Sequence, residues 1–251
     1  MNQTKSVHFK GVSGMIEGKL HDVTSQDPNA PTALVLHPDP LHGGSMNNKV
    51  SYTIFKAFRD CGFNVLRINF RGVGNSQGSL KDFEQNAEKS GVGDASAAMN
   101  WLKKEFPSTS HYVIGGFSFG SWIGMHTVMR RPEVEFFISV APPCTTRSFS
   151  FLDPCPVSGL FVHPAADEIA KLEDFIKMTK ETNFGTANVD CDIIQDATHF
   201  FDNVKNPSSS HLDELYEKMV AYINIKLATR IEKPIRKKRR RRKKKDEDFD
   251  D

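Results

Sequence analysis

The chain has 251 residues, 38% of them hydrophobic, with four cysteines and a formal net charge of +2. That is enough apolar material for one sizeable core, which excludes a disordered chain or a small disulfide-stapled one and favours a single domain. The charge is uneven: from residue 231 on there are 11 Lys/Arg against 6 Asp/Glu, leaving residues 1–230 with 22 basic and 25 acidic side chains and no general pull toward nucleic acid.

Residues 7–23 read as a hairpin turning at Val12-Ser13-Gly14, and 25–31 (SQDPNAP) as a loop. The continuous apolar run ALVLH at 33–37 predicts a central strand ending at Pro38. Over 48–61 the stripe Val50, Ile54, Phe55, Phe58 predicts a helix that stops at Gly62. FNVLRINF at 63–70 is another buried strand, with Arg71 to Ser76 as its outgoing turn. A helix is expected over 92–106, a short strand running into Gly116, then a helix over 121–130. EFFISV at 135–140 and GLFVH at 159–163 are further strands, with too few residues between them for an inserted lid. Helices over 171–182 and 213–228 flank a strand over 189–195. Strands alternating with helices predict an α/β fold with a parallel sheet.

Cys61, Cys144, Cys155 and Cys191 are scattered without metal-binding spacing and read as reduced thiols. The opening MNQTKSVHFK has no apolar leader and no run reaches spanning length, so the expected location is the cytoplasm.

Gly116-Phe117-Ser118-Phe119-Gly120 sits where a strand meets a helix, the setting that lifts a serine on a sharp turn. The pattern alone arises by chance in roughly one chain of this length in ten, so the remaining residues must carry the case. Ser118 needs a base, and His199 lies in a polar turn just past a strand end, where open α/β sheets put reactive groups. Asp167, in the loop leaving strand 159–163, is the candidate to hold the imidazole, with Glu168, Asp153 and Asp196 as competitors. Two amides must meet an oxyanion: that of Phe119, and one from the loop His37-Pro38-Asp39-Pro40-Leu41-His42, where prolines cannot donate and Asp39 is preferred over Leu41. A metal reading of His37, Asp39 and His42 is weaker, and neither metal nor cofactor is expected.

The stretches LHPDPLHGGSMNNKV, LRINFRGVGNSQG, GFSFGSWIG and ATHFF together resemble the α/β-hydrolase superfamily, and more narrowly its small lidless bacterial members of dienelactone-hydrolase-like or dipeptidyl-peptidase-like type. The resemblance covers about residues 7–227. It implies a mostly parallel sheet with helices on both faces and no lid domain. It also implies Ser118 as nucleophile, His199 as base, Asp167 as acid and Asp39 as an oxyanion donor. One departure is the acid loop, His163-Pro164-Ala165-Ala166-Asp167, where such enzymes carry Gly-x-x-Asp. The expected activity is hydrolysis of small carboxylic esters, thioesters or amides through an acyl-enzyme. The alternatives are a dipeptidyl-peptidase type of serine peptidase and a non-catalytic tethering protein on the same scaffold.

A run of ten cations begins at Arg236 and ends at Lys245, followed by residues 246–251, all acidic but Phe249. Self-repulsion and the lack of apolar residues predict a disordered tail over 231–251, after a folded domain at 1–230. Its expected partners are anionic, RNA phosphate or anionic lipid, bound without sequence preference.

Overall fold

The computed structural model describes residues 4–109 and 111–231. From residue 232 on, the expected tail lies outside the described residues. Eight strands form one sheet in the order β1-β2-β4-β3-β5-β6-β7-β8. The hairpin of β1 (Lys5–Gly11) and β2 (Gly14–His21) is antiparallel, and β2 also runs antiparallel to β4 (Asn64–Ile68). The remaining pairings, through β3 (Thr32–Leu36), β5 (Tyr112–Phe117), β6 (Val134–Val140), β7 (Ser158–Pro164) and β8 (Val189–Ile194), are parallel.

Alternation along the central strands divides the core in two. Ala33 and Val35 point to one face, with Val65, Val113 and Phe117, and are covered by α1 (Lys49–Asp60) and α5 (Leu212–Ile231). Leu34 and Leu36 point to the other, with Leu66 and Ile114, and are covered by α2 (Lys81–Glu105) and α3 (Phe119–Val128), while α4 (Leu172–Glu181) adds Phe175. Side chains buried on both faces are why these strands read as continuous apolar runs.

Helix α1 begins at Asn48, whose side chain accepts from the amides of Val50 and Ser51. Helix α2 corrects the expectation of a start at residue 92. It begins at Lys81, breaks at Asn86 (φ −156°, ψ 90°) and restarts with the Asn86 side chain accepting from the Lys89 amide. Gly91 in that segment is a packing residue, because a Cβ there would lie 2.5 Å from Ile123 of α3. The segment from β6 to β7 carries only a 3-10 turn at Ser150–Leu152, so no lid stands over the sheet. Among the described residues the four cysteines are free, and no helix is long and apolar enough to cross a membrane.

The turn leaving β4 is fixed by a buried ion pair. The Arg71 guanidinium donates to Asp94 of α2 (2.8 and 3.1 Å), to Ser13 Oγ in the hairpin turn (2.7 Å), to Asp82 (3.1 Å) and to the Ser90 carbonyl (3.1 Å). Asp94 is fully buried and also accepts from the Arg71 amide. Burial pushes the Asp94 carboxyl up, against the pull of Arg71. Arg71→Met would strand that carboxyl, and urea unfolding of the variant is expected to show a loss of about 3–5 kcal/mol. The double variant with Asp94→Leu should lose clearly less than the single one.

Candidate active site

The site is assembled at the carboxyl ends of β3, β5, β7 and β8. Ser118 stands between β5 and α3 with φ 52° and ψ −120°, a conformation that costs a residue bearing a Cβ and so needs support. Its amide donates to Val140 O (2.9 Å), and its carbonyl accepts from the Ser121 amide (2.9 Å). The flanking glycines are set by contact distances. A Cβ at Gly116 would lie 2.3 Å from Gly120 O, and one at Gly120 would lie 2.4 Å from Leu36 O.

His199 is 1% exposed, its ring packed against Phe117 and Phe200. Its Nε2 lies 3.0 Å from Ser118 Oγ and its Nδ1 2.8 Å from Asp167 Oδ2. The other Asp167 oxygen accepts from the amides of Ile169 (2.8 Å) and Ala170 (2.7 Å), which fixes the carboxylate plane. The competing acids are engaged elsewhere: Glu168 accepts from the His199 backbone amide (3.1 Å), Asp196 pairs with Lys205 (2.7 Å), and Asp153 lines a separate cavity.

Pro164 does not divert the acid loop. It ends β7 in register with Ile194, and the next two amides continue the pairing, Ala165 to Ile194 O (2.8 Å) and Ala166 to Ala197 O (2.9 Å). The loop is closed by His163, fully buried and stacked on Phe175, whose Nε2 donates to Ala170 O (2.9 Å). Burial pushes the His163 imidazole down to about 4.

Ser118 and His199 open onto a cavity of about 660 Å³, whose wall includes Pro38, Asp39, Phe119, Ile169 and Phe200. Among the described residues the amides of Asp39 and Phe119 donate to no protein acceptor. Asp39 is presented by a 3-10 turn, Pro40–His42, over which its own side chain accepts from the Leu41 amide (2.9 Å). That bond occupies the Leu41 amide.

His37, weighed in the sequence only as a metal ligand, is fully enclosed. Its Nε2 accepts from the Phe70 amide (3.1 Å), so Nδ1 carries the proton and donates to Pro38 O (2.6 Å). Both nitrogens are occupied, and burial pushes the ring down to about 4. Among the described residues no cluster of three His, Cys, Asp or Glu is placed to hold a metal. Arg147, also on the cavity wall, carries no motif and was not legible in the sequence.

The family model described as serine aminopeptidase, S33 matches residues 31–161. An uncharacterized protein of Rickettsia prowazekii is 44% identical over 203 residues, 78% of this chain and 81% of that one. Among solved structures, a protein of unknown function from Agrobacterium tumefaciens, an α/β-hydrolase candidate, is 36% identical with a TM-score of 0.80 over 90% of this chain and 97% of that one. A serine hydrolase without lid from Xanthomonas campestris is 26% identical with a TM-score of 0.74, covering 90% and 95%. The chain belongs to the α/β-hydrolase superfamily.

Two of the buried imidazoles, those of His37 and His163, set an acid limit. Unfolded, each takes up a proton near pH 6.5, whereas folded each stays neutral until about 4. Their contribution to stability is therefore full above pH 6.5 and lost as pH falls toward 4. Thermal melts should show Tm dropping across that window, and His163→Gln, which keeps a donor for Ala170 O, should make the drop shallower.

Proposed function

We propose that this chain is a serine hydrolase acting on small carboxylic esters or thioesters through an acyl-enzyme. The observation that carries the reading is the hydrogen-bonded chain from Ser118 Oγ through His199 to Asp167, at 3.0 and 2.8 Å, opening onto a cavity with two undonated amides. With Nδ1–H directed at Asp167, the Nε2 lone pair faces the serine hydroxyl. His199 takes the Ser118 proton as Oγ bonds to the substrate carbonyl carbon, and Asp167 stabilises the imidazolium. The carbonyl oxygen, now carrying the negative charge, is met by the amides of Asp39 and Phe119. Collapse expels the alcohol or thiol, protonated by His199. Water then attacks the acyl-enzyme with His199 again as base, releasing the acid and restoring Ser118.

An aminopeptidase reading has less support. Holding a substrate ammonium favours a wall whose charge is acidic, and here the one acid among the described lining residues, Asp39, shares the wall with Arg147. The cavity is open, which favours short acyl chains.

Ser118→Ala should abolish p-nitrophenyl ester hydrolysis and fluorophosphonate labelling without changing the circular dichroism spectrum. Wild-type turnover in that variant would end the serine-hydrolase reading. Asp167→Asn is expected to lower kcat by roughly 10³–10⁴-fold with little effect on KM, while Asp153→Asn and Asp196→Asn cost far less. Across unbranched p-nitrophenyl esters kcat/KM should peak at about two to six acyl carbons, because each further methylene gains about 0.8 kcal/mol only while apolar wall remains.

A further inference from the structure

We infer that the cavity selects substrates carrying a carboxylate, and that Arg147 is the residue that recognises it. The inference rests on the acyl-transfer reading of the same site. Arg147 lies on the segment that connects β6 to β7, half-buried on the wall shared with Ser118, Phe119 and His199. Its guanidinium lies 4.8 Å from the centroid of the Trp122 ring and 5.8 Å from that of Phe119, the residue that follows Ser118. The stack is anchored at both ends. Trp122 Nε1 donates to Ser148 O (3.0 Å), and the Arg147 amide donates to Pro143 O (2.9 Å). The cationic side chain thus lies against two rings on the wall it shares with the proposed nucleophile.

What the guanidinium lacks is an anion. Among the described residues no carboxylate comes within ion-pair distance of Arg147, and its side chain makes no hydrogen bond, although most other arginines of the fold are paired with acids. The nearest candidates have other roles. Arg147 also borders a neighbouring cavity lined by Asp153, Asp174, Glu181 and Lys177, but none of those acids pairs with it, and Asp174 accepts from Thr145 Oγ1 (2.6 Å). Asp39 is tied to Leu41 and His42. A guanidinium lying over a ring still carries a planar fork of N–H donors, which matches a carboxylate in two parallel bonds. The rest of that wall is mainly apolar, with Pro38, Pro143, Ile169 and Phe200, and Arg147 is the one Lys or Arg among its described lining residues, while its one acid, Asp39, faces His42. One charge-assisted bond in such a setting discriminates by about ten- to a hundred-fold.

The test compares kcat/KM within matched pairs on the full-length protein. One pair puts the charge on the acyl side, mono-p-nitrophenyl adipate against p-nitrophenyl hexanoate. The other puts it on the leaving group, p-carboxyphenyl butyrate against its methyl ester. The anionic member of at least one pair should be preferred by about ten-fold or more. That ratio should fall toward one in Arg147→Gln, be retained in part in Arg147→Lys, and turn in favour of a trimethylammonio-hexanoate ester in Arg147→Glu. An equal ratio in wild type and Arg147→Gln for both pairs overturns the inference. Labelling by a neutral fluorophosphonate separates the two readings, since labelled protein without charge preference removes only the role of Arg147. If neither labelling nor turnover occurs, calorimetry with monomethyl adipate decides the matter. Binding lost in Arg147→Gln supports anion recognition, and no binding to wild type overturns it.

Discussion

The contact on which the site depends is the approach of the first turn of α3 to the end of β3. Gly120 sits so close to the carbonyls of Leu36 and His37 that a single added carbon would fall 2.4–2.5 Å from both oxygens. That contact brings the Phe119 amide and the loop bearing Asp39 to the same small volume. It also explains the strained φ of Ser118: the chain must leave β5 and enter α3 within one residue, and the positive φ is what the reversal costs. The support comes from hydrogen bonds on either side, to Val140 in the next strand and to Ser121 in the helix.

The far side of the β3 loop is held by groups with no part in the proposed chemistry. His37 joins the Pro38 carbonyl to the Phe70 amide, and so couples the loop to the turn after β4. That turn is in turn held by Asn69, which accepts from the Met46 amide and donates to Glu17, and by Arg71, whose pairing with Asp94 reaches into α2. Glu17 accepts from both the amide and the side chain of Asn75. A buried polar network of this kind is stable because nearly every donor has its acceptor, and losing one member would leave a charge or amide unsatisfied in a low dielectric. The long match to a family pattern in LRINFRGVGNSQG is thus a structural signature of the support and not of the reacting groups.

On the other side, the acid loop shows one carboxylate serving two roles. Asp167 accepts from two amides of its own loop and so fixes its plane, and its second oxygen remains for His199. Binding the loop amides does not exclude pairing with the imidazole, because a carboxylate has acceptor sites enough for both. His163 closes the same loop through Ala170, so the loop stays in place although a proline stands where such loops carry glycine.

The sequence by itself determined the layering and singled out Ser118 and His199. Apolar runs and stripes mark where side chains are buried on both faces or one, and the glycines around Ser118 mark a turn no larger residue can make. It placed the start of α2 at residue 92 instead of Lys81, and the contact that packs Gly91 of the missed segment on Ile123 joins residues far apart in the chain. It left four acids open as partners for His199, since chain spacing does not say which carboxylate reaches a ring. Only the tertiary structure decided that, along with the enclosure of His37 and the stacking of Arg147 on Trp122. Burial patterns are written locally, in the period of each strand and helix. Hydrogen-bond partners and unpaired charges depend on distances between segments far apart in the chain, and those distances exist only once the sheet has formed.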